Sequence, residues 1–97
     1  MPTYITMYKF TDQGIRNIKE SPRRLEAGIK AFEAMGGKVL GAYYTQGESD
    51  LMVIGEIATE EAGVAHTLAQ CALGNVRSTS IRAFTPKEFA KILTKIP

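Results

Sequence analysis

The sequence predicts an α+β fold of the ferredoxin-like kind, in which the order β-α-β-β-α-β is followed by an extra C-terminal helix. The first observation is a central hairpin over Lys38–Ile57, where two apolar runs flank the polar turn Gln46–Ser49. The second is that a long helical stretch lies on either side of this hairpin, each next to a further apolar run. At 97 residues the chain is one domain, residues 1–97, with an antiparallel four-stranded sheet and the helices on one face.

The first half of the chain predicts a strand and then a helix that is interrupted once. Thr3–Lys9 carries apolar side chains on both faces of its alternating pattern. Thr11 suits a helix N-cap, and Ser21–Pro22 predicts a restart or kink, because proline favours the first helical position. Gly36–Gly37 ends the helix, since glycine tolerates the left-handed conformation of a C-terminal cap. The apolar stripe of this helix consists of Ile18, Leu25, Ile29 and Phe32.

The hairpin has two apolar faces if Thr45 pairs with Asp50. One predicted face holds Leu40, Ala42, Tyr44, Leu51, Val53, Gly55 and Ile57. The other holds Val39, Gly41, Tyr43, Met52, Ile54 and Glu56. Strands that are apolar on both faces need cover on both sides. The helices can cover one side, and we expect a second copy of the chain to cover the other.

The second half predicts a helix, a strand and a short final helix. Thr59 caps the first of these helices, and Gly74–Asn75 ends it. Val76–Phe84 is the fourth strand, and Thr85 opens a capping box with proline at the next position. The final helix is expected to dock on the domain. The predicted buried stripe of the alanine-rich helix is Ala62, Ala65, Leu68, Ala69, Ala72 and Leu73.

Composition excludes several functional classes. A net charge of +2 is too small to indicate nucleic-acid binding, and no apolar run approaches the roughly 20 residues of a membrane span. The start of the chain lacks a basic segment before an apolar one, so we expect no signal peptide. Cys71 is the single cysteine, which suits a reducing cytoplasm. No phosphate loop, metal-ligand spacing or nucleophile triad is present, so we expect neither a cofactor nor a metal.

Over nearly its full length the chain resembles the GYD-domain family. The resembling stretches are Thr11–Ile18, Ser21–Arg24, Met35–Val39 and Ala72–Arg77. The family is named for a glycine, a tyrosine and an aspartate at the hairpin. This chain has Gly47 and Asp50 there, with Ser49 at the tyrosine position. The resemblance implies a dimeric α/β-barrel, in which two sheets face each other, and it implies no particular reaction.

Five residues are candidates for a ligand site, although the sequence identifies no catalytic residue. His66 is the only histidine, and the alternative is a partly exposed residue at the flank of its helix. Asp50 suits a pocket mouth, or else a turn in which its carboxylate accepts backbone N–H bonds. Tyr4, Tyr8 and Tyr43 suit an apolar or aromatic ligand, or else packing in the core and interface.

Three functions fit these observations. The favoured one is an uncharacterised homodimer, or higher oligomer, that binds a small apolar or aromatic ligand in the barrel interior. The second is a cofactor-independent oxygenase or isomerase that uses the tyrosines, His66 or Asp50 as acid–base groups. The third is a protein–protein interaction module that uses its exposed helices. The enzyme is less favoured because no converging set of polar groups is evident, and no nucleic-acid or membrane partner is expected.

Overall fold

A computed structural model describes residues 1–97 and confirms the predicted order of elements. The strands are β1 (Thr3–Phe10), β2 (Lys38–Tyr44), β3 (Leu51–Glu56) and β4 (Val76–Ala83). The helices are α1 (Asp12–Arg16), α2 (Ser21–Ala34), α3 (Glu60–Ala72) and α4 (Pro86–Leu93), with a 3₁₀ turn at Ile18–Glu20. None of these helices has the length and apolar content needed to cross a membrane.

The four strands form one antiparallel sheet in the order β2-β3-β1-β4. This is the ferredoxin-like arrangement, and β1 and β3 lie at its centre. The backbone N–H of Thr45 donates to the carbonyl oxygen of Asp50 at 2.9 Å, which confirms the predicted pairing at the hairpin. Next to the turn, β2 and β3 therefore run side by side with the register that the turn imposes.

A β-bulge in β2 changes which side chains share a face. The register with β3 shifts between Val39 and Gly41, so Leu40 is the extra residue and is 50% exposed. Val39 pairs with Gly55 and lies on the same side as Ala42. The predicted placement of Val39 and Leu40 is therefore wrong, because a bulge inserts one residue into the period-two alternation.

Both long helices lie over one face of the sheet. Leu25 and Phe32 of α2 and Thr67 of α3 surround the same space as Tyr8 and other side chains on one face of the sheet. The hydroxyls of Ser21 and Tyr44 are hydrogen-bonded at 3.0 Å, which ties the start of α2 to the end of β2. We call this side of the sheet the helix face and the other side the open face. The residues on the open face include Ile5, Met7, Gly41, Tyr43, Met52, Ile54 and Ile81.

The predicted buried stripe of α3 is wrong. Leu68 and Leu73 are 63% and 60% exposed, whereas His66 and Thr67 are half-buried and face α2 and the sheet. Two contacts fix this rotation: the ring of His66 meets that of Phe32, and the thiol of Cys71 is hydrogen-bonded to the Ser78 hydroxyl at 3.4 Å. Apolar periodicity alone could not reveal contacts that side chains far apart in sequence make.

The predicted N-caps at Thr11, Thr59 and Thr85 are all confirmed by side-chain hydrogen bonds to helical N–H groups. Thr85 and Glu88 form the complete capping box of α4. The prediction that α4 docks on the rest of the domain is nevertheless wrong, as the exposure of its apolar side chains shows. The exposed fractions are 51% for Phe89, 39% for Ile92 and 48% for Leu93, and Ile96, just after the helix, is 66% exposed.

The turn before α1 is fastened to the turn after α3. The N–H of Thr11 donates to the carbonyl of Asn75 at 3.1 Å, and the Thr11 hydroxyl donates to that of Gly74 at 2.6 Å. Nε2 of Gln13 donates to the Leu73 carbonyl at 3.1 Å and to Oδ1 of Asn75 at 3.0 Å. Two of the stretches that carry the family resemblance therefore meet in space, and they do so for a structural purpose.

Candidate functional site

A cavity of about 400 Å³ separates the helix layer from the sheet. Tyr4, Tyr8, Leu51 and Val53 form its floor on the sheet. Its roof comes from α2, through Leu25, Ile29 and Phe32, and from α3, through His66, Thr67 and Gln70. Val64, Leu68 and Leu73 also line it and are mostly exposed, so they form its mouth. The space where a small domain usually has its core is thus partly open.

His66 occupies the roof of the cavity as a neutral aromatic group. Its ring centroid lies 5.1 Å from that of Phe32, with the planes tilted by 60°. Burial lowers the pKa of His66 below its ordinary value of 6.5, because the charged imidazolium loses hydration there. No hydrogen bond joins His66 to Asp50 or to a tyrosine, so the arrangement of a general base held by an orienting partner is not formed.

Two tyrosines lie on the floor with different surroundings. Tyr8 is only 8% exposed, and its burial, followed by electrostatic repulsion from the nearby Cys71 sulfur, raises the pKa of its hydroxyl to about 12. The hydroxyl of Tyr4 is buried and has no hydrogen-bond partner. The Arg82 guanidinium lies 5.7 Å from the centroid of the Tyr4 ring. Tyr4 therefore carries an unpaired polar atom that neighbouring protein atoms cover.

Arg24 is a cavity residue that we did not predict from the sequence. Its Nη1 donates to the carbonyl oxygen of Asn17 at 3.0 Å, while its Nη2 is buried without a partner. The sequence did contain one signal for its position: Arg24 directly precedes Leu25, a member of the apolar stripe that faces the sheet. Its neighbour Arg23 faces solvent and pairs with Glu20 at 3.1 Å.

The other two predicted site residues lie away from the cavity. Tyr43 is on the open face and is 61% exposed. Asp50 stands at the hairpin end, where its carboxylate accepts a hydrogen bond from the N–H of Phe10 at 2.9 Å. The structure therefore brings together Tyr4, Tyr8 and His66, and it does not bring Tyr43 or Asp50 to them.

The cavity has the chemistry of a binding site. Its walls are mainly apolar, and two of its residues, Tyr4 and Arg24, each carry a buried polar atom without a hydrogen-bond partner. No three side chains of the histidine, cysteine, aspartate or glutamate type come close enough together to hold a metal ion. Such a space can hold and orient an apolar molecule that carries few polar atoms.

Several solved structures share this fold at low sequence identity. The feast or famine regulatory protein of M. tuberculosis complexed with L-methionine aligns with a TM-score of 0.66 and 19% identity over 88% of this chain. The leucine response regulatory protein of Mycobacterium tuberculosis gives 0.64 and 19% over 87%. This chain spans only 51% of each of those two chains.

A protein from Thermus thermophilus is similar to this chain in length as well. Its TM-score is 0.56 at 18% identity, and the alignment covers 88% of this chain and 95% of that one. None of the curated proteins compared with the sequence matches it. A family model described as the GYD domain matches residues 4–93.

Proposed function

This chain belongs to the GYD-domain family, and we propose that it is a homodimeric domain that binds a small apolar or aromatic molecule. The observation that carries this proposal is the cavity of about 400 Å³ between the helices and the sheet. Its position on the helix face differs from the barrel interior that we expected from the sequence. Tyr4, Tyr8 and His66 are the predicted ligand residues that line it.

Packing supports a ligand in this space. Protein interiors are normally as dense as organic crystals, and voids larger than a water molecule are few. A cavity lined by apolar side chains gains little from water but binds apolar molecules readily. Its volume lies within the range of about 300–1,000 Å³ that small-molecule sites occupy. The M. tuberculosis regulator with the same fold is complexed with L-methionine, which supports small-molecule binding on this scaffold.

Fluorescence of N-phenyl-1-naphthylamine, a neutral apolar dye, tests the proposal. We expect saturable binding of about one dye per chain and a blue shift of its emission, because the dye leaves water for an apolar space. Thr67→Phe places a ring in the cavity and should abolish binding. Ala69→Phe adds the same ring at an exposed position of the same helix and should bind like the wild type. Equal binding by both variants would show that the dye lies elsewhere.

The open face supports the homodimer. Ile5, Met7, Met52 and Ile54 lie together there across the two central strands, and no helix covers them. Two copies could pair through this face around a two-fold axis, which is the commonest symmetry of oligomers. A standard interface of about 1,600 Å² would cover the open face of both copies. We expect light scattering at micromolar concentration to give the mass of two chains. A mass of one chain would contradict the dimer.

The two alternative functions have less support. An acid–base enzyme needs converging polar groups, yet Asp50 and Tyr43 lie outside the cavity, and His66 has no hydrogen-bonded partner there. An interaction module could use the exposed apolar side chains of α4, but nothing indicates a particular protein partner. We place the domain in the cytoplasm, where the thiol of Cys71 would stay reduced.

A further inference from the structure

Arg24 leaves one positively charged donor unused at one end of the cavity. Its Nη1 is occupied by the Asn17 carbonyl, whereas its Nη2 is shielded from solvent and unpaired. A buried donor without a partner costs about 1–3 kcal/mol, and more when the group is charged. Neighbouring atoms cover Nη2, but Arg24 lines the cavity, so a rotation of its side chain would bring this donor to an acceptor on a ligand in that space.

No acidic side chain of the cavity can serve Arg24. Glu60 is the only carboxylate that lines it, and it lies in the first turn of α3. Two pairs of positions, Gly28 with Gln70 and Phe32 with His66, show that α2 and α3 run antiparallel.

By the same register, Arg24 lies level with Gly74. At 1.5 Å per residue, Glu60 is then about 20 Å away along the helices. Glu26, the nearest acid in sequence, pairs with Lys30, and Glu20 pairs with Arg23. The end of the cavity at Arg24 is therefore positive and uncompensated.

Apolar side chains extend from Arg24 along the cavity. Leu25, Ile29 and Phe32 follow it on α2, and Leu51 and Val53 face them from the sheet. The eight steps along the helix from Arg24 to Phe32 rise about 12 Å. A ligand that reaches Arg24 thus has space for one charged group at this end and an apolar body beyond it.

We propose that the ligand is an apolar monocarboxylate whose carboxylate binds Nη2 of Arg24 while its hydrocarbon part lies along α2. The inference rests on the proposed function, because it concerns the same cavity. Guanidinium groups match carboxylates in geometry and hydration. One free guanidinium nitrogen suits a single carboxylate better than a phosphate, which carries more charge and has three acceptor oxygens to satisfy.

The test compares decanoate with 1-decanol by displacement of N-phenyl-1-naphthylamine near neutral pH, where decanoate is ionised. The two probes share a ten-carbon chain and differ in the charged group. We expect decanoate to bind at least about tenfold more tightly, as a hydrogen bond to a charged group implies. Arg24→Met should remove this preference, so that decanoate and decanol bind within about twofold of each other. Arg23→Met is the matched control and should behave like the wild type.

The outcomes separate the two proposals. Equal binding of both probes to the wild type, or a preference that Arg24→Met retains, would overturn the carboxylate and keep the apolar site. If neither decanoate nor decanol displaced the dye, the apolar site itself would be overturned as well. If Arg24→Met fails to fold, Arg24→Lys keeps the charge but loses the planar donors, and it should reduce the preference for decanoate over decanol.

Discussion

The carboxylate of Asp50 accepts a hydrogen bond from the backbone N–H of Phe10 at 2.9 Å. The N–H of Asp50 itself donates to the carbonyl of Tyr8, also at 2.9 Å. These two bonds fasten the β2–β3 hairpin to the last residues of β1. The aspartate at the hairpin, by which the family is partly named, therefore has a structural task in this chain.

We expect Asp50→Ala to lower the free energy of unfolding by about 1–3 kcal/mol, because the partly buried N–H of Phe10 would lose a charged acceptor. Chemical denaturation followed by circular dichroism measures the change. Glu48→Ala, at an exposed position of the same hairpin, is the control and should have almost no effect. Equal stability of both variants would show that water replaces the carboxylate without loss.

Gly14 allows the close contact between the turns that precede α1 and follow α3. A Cβ at Gly14 would overlap the carbonyl oxygen of Asn75, and backbone atoms cannot move aside as a side chain can. We expect Gly14→Ala to lower the free energy of unfolding by about 3 kcal/mol, near the upper end of over-packing.

Gly28→Ala is the matched control for Gly14→Ala in a neighbouring helix. Its Cβ would meet only the flexible end of the Gln70 side chain, at 3.0 Å. It should be neutral or stabilise by up to about 1 kcal/mol, the helix preference for alanine. The prediction fails if the two substitutions have similar effects on the denaturation midpoint.

Burial of Tyr8 should make the stability of the protein fall at alkaline pH. Its pKa rises from 10.0 to about 12 in the folded chain, so the unfolded chain releases this proton first. The part of the stability that comes from the neutral Tyr8 hydroxyl is fully present below pH 10 and is lost as the pH rises toward 12. The loss is about 2–3 kcal/mol for a change of this size. Tyr8→Phe should remove this part of the alkaline decline, whereas Tyr43→Phe, on the open face, should retain it.

The capping box should control the helicity of α4 rather than the stability of the domain. Thr85→Ala removes an N-cap worth about 1 kcal/mol to the helix. The hydrogen bond from the Thr85 N–H lowers the pKa of Glu88 below 4.5. The contribution of Glu88 is therefore present above that value and lost as the pH falls through its lower folded pKa.

Amide chemical shifts of α4 measure both effects. The global unfolding midpoint of Thr85→Ala should match the wild type, because the apolar side chains of α4 are exposed. A lower midpoint would show that α4 docks on the domain in solution.

The open face should determine the oligomeric state. Ile54→Glu introduces a charge on the open face of the central strand β3, opposite Ile5 of β1. Burying this charge in an interface would cost free energy of association. We expect light scattering to give one chain mass for this variant and two for the wild type. Ala65→Glu carries the same charge on the exposed side of α3 and should remain dimeric. Dimerisation of Ile54→Glu would place the interface elsewhere.

Local signals in the sequence were sufficient for the order of elements. The caps at Thr11, Thr59 and Thr85 are confirmed because an N-cap depends on residues only three positions apart. The hairpin is confirmed for the same reason, since its turn sets the register of the two strands next to it. Interactions between residues close together in the chain can be predicted from those residues alone.

Only the tertiary structure decided which side chains form the candidate site. The rotation of α3 that turns His66 inward depends on Phe32, and the bulge at Leu40 moves Val39 to the helix face. The unpaired nitrogen of Arg24 becomes visible only when α2 lies over the sheet. Periodicity describes one element at a time, whereas a cavity depends on how far separate elements stand apart and on how each is rotated about its axis.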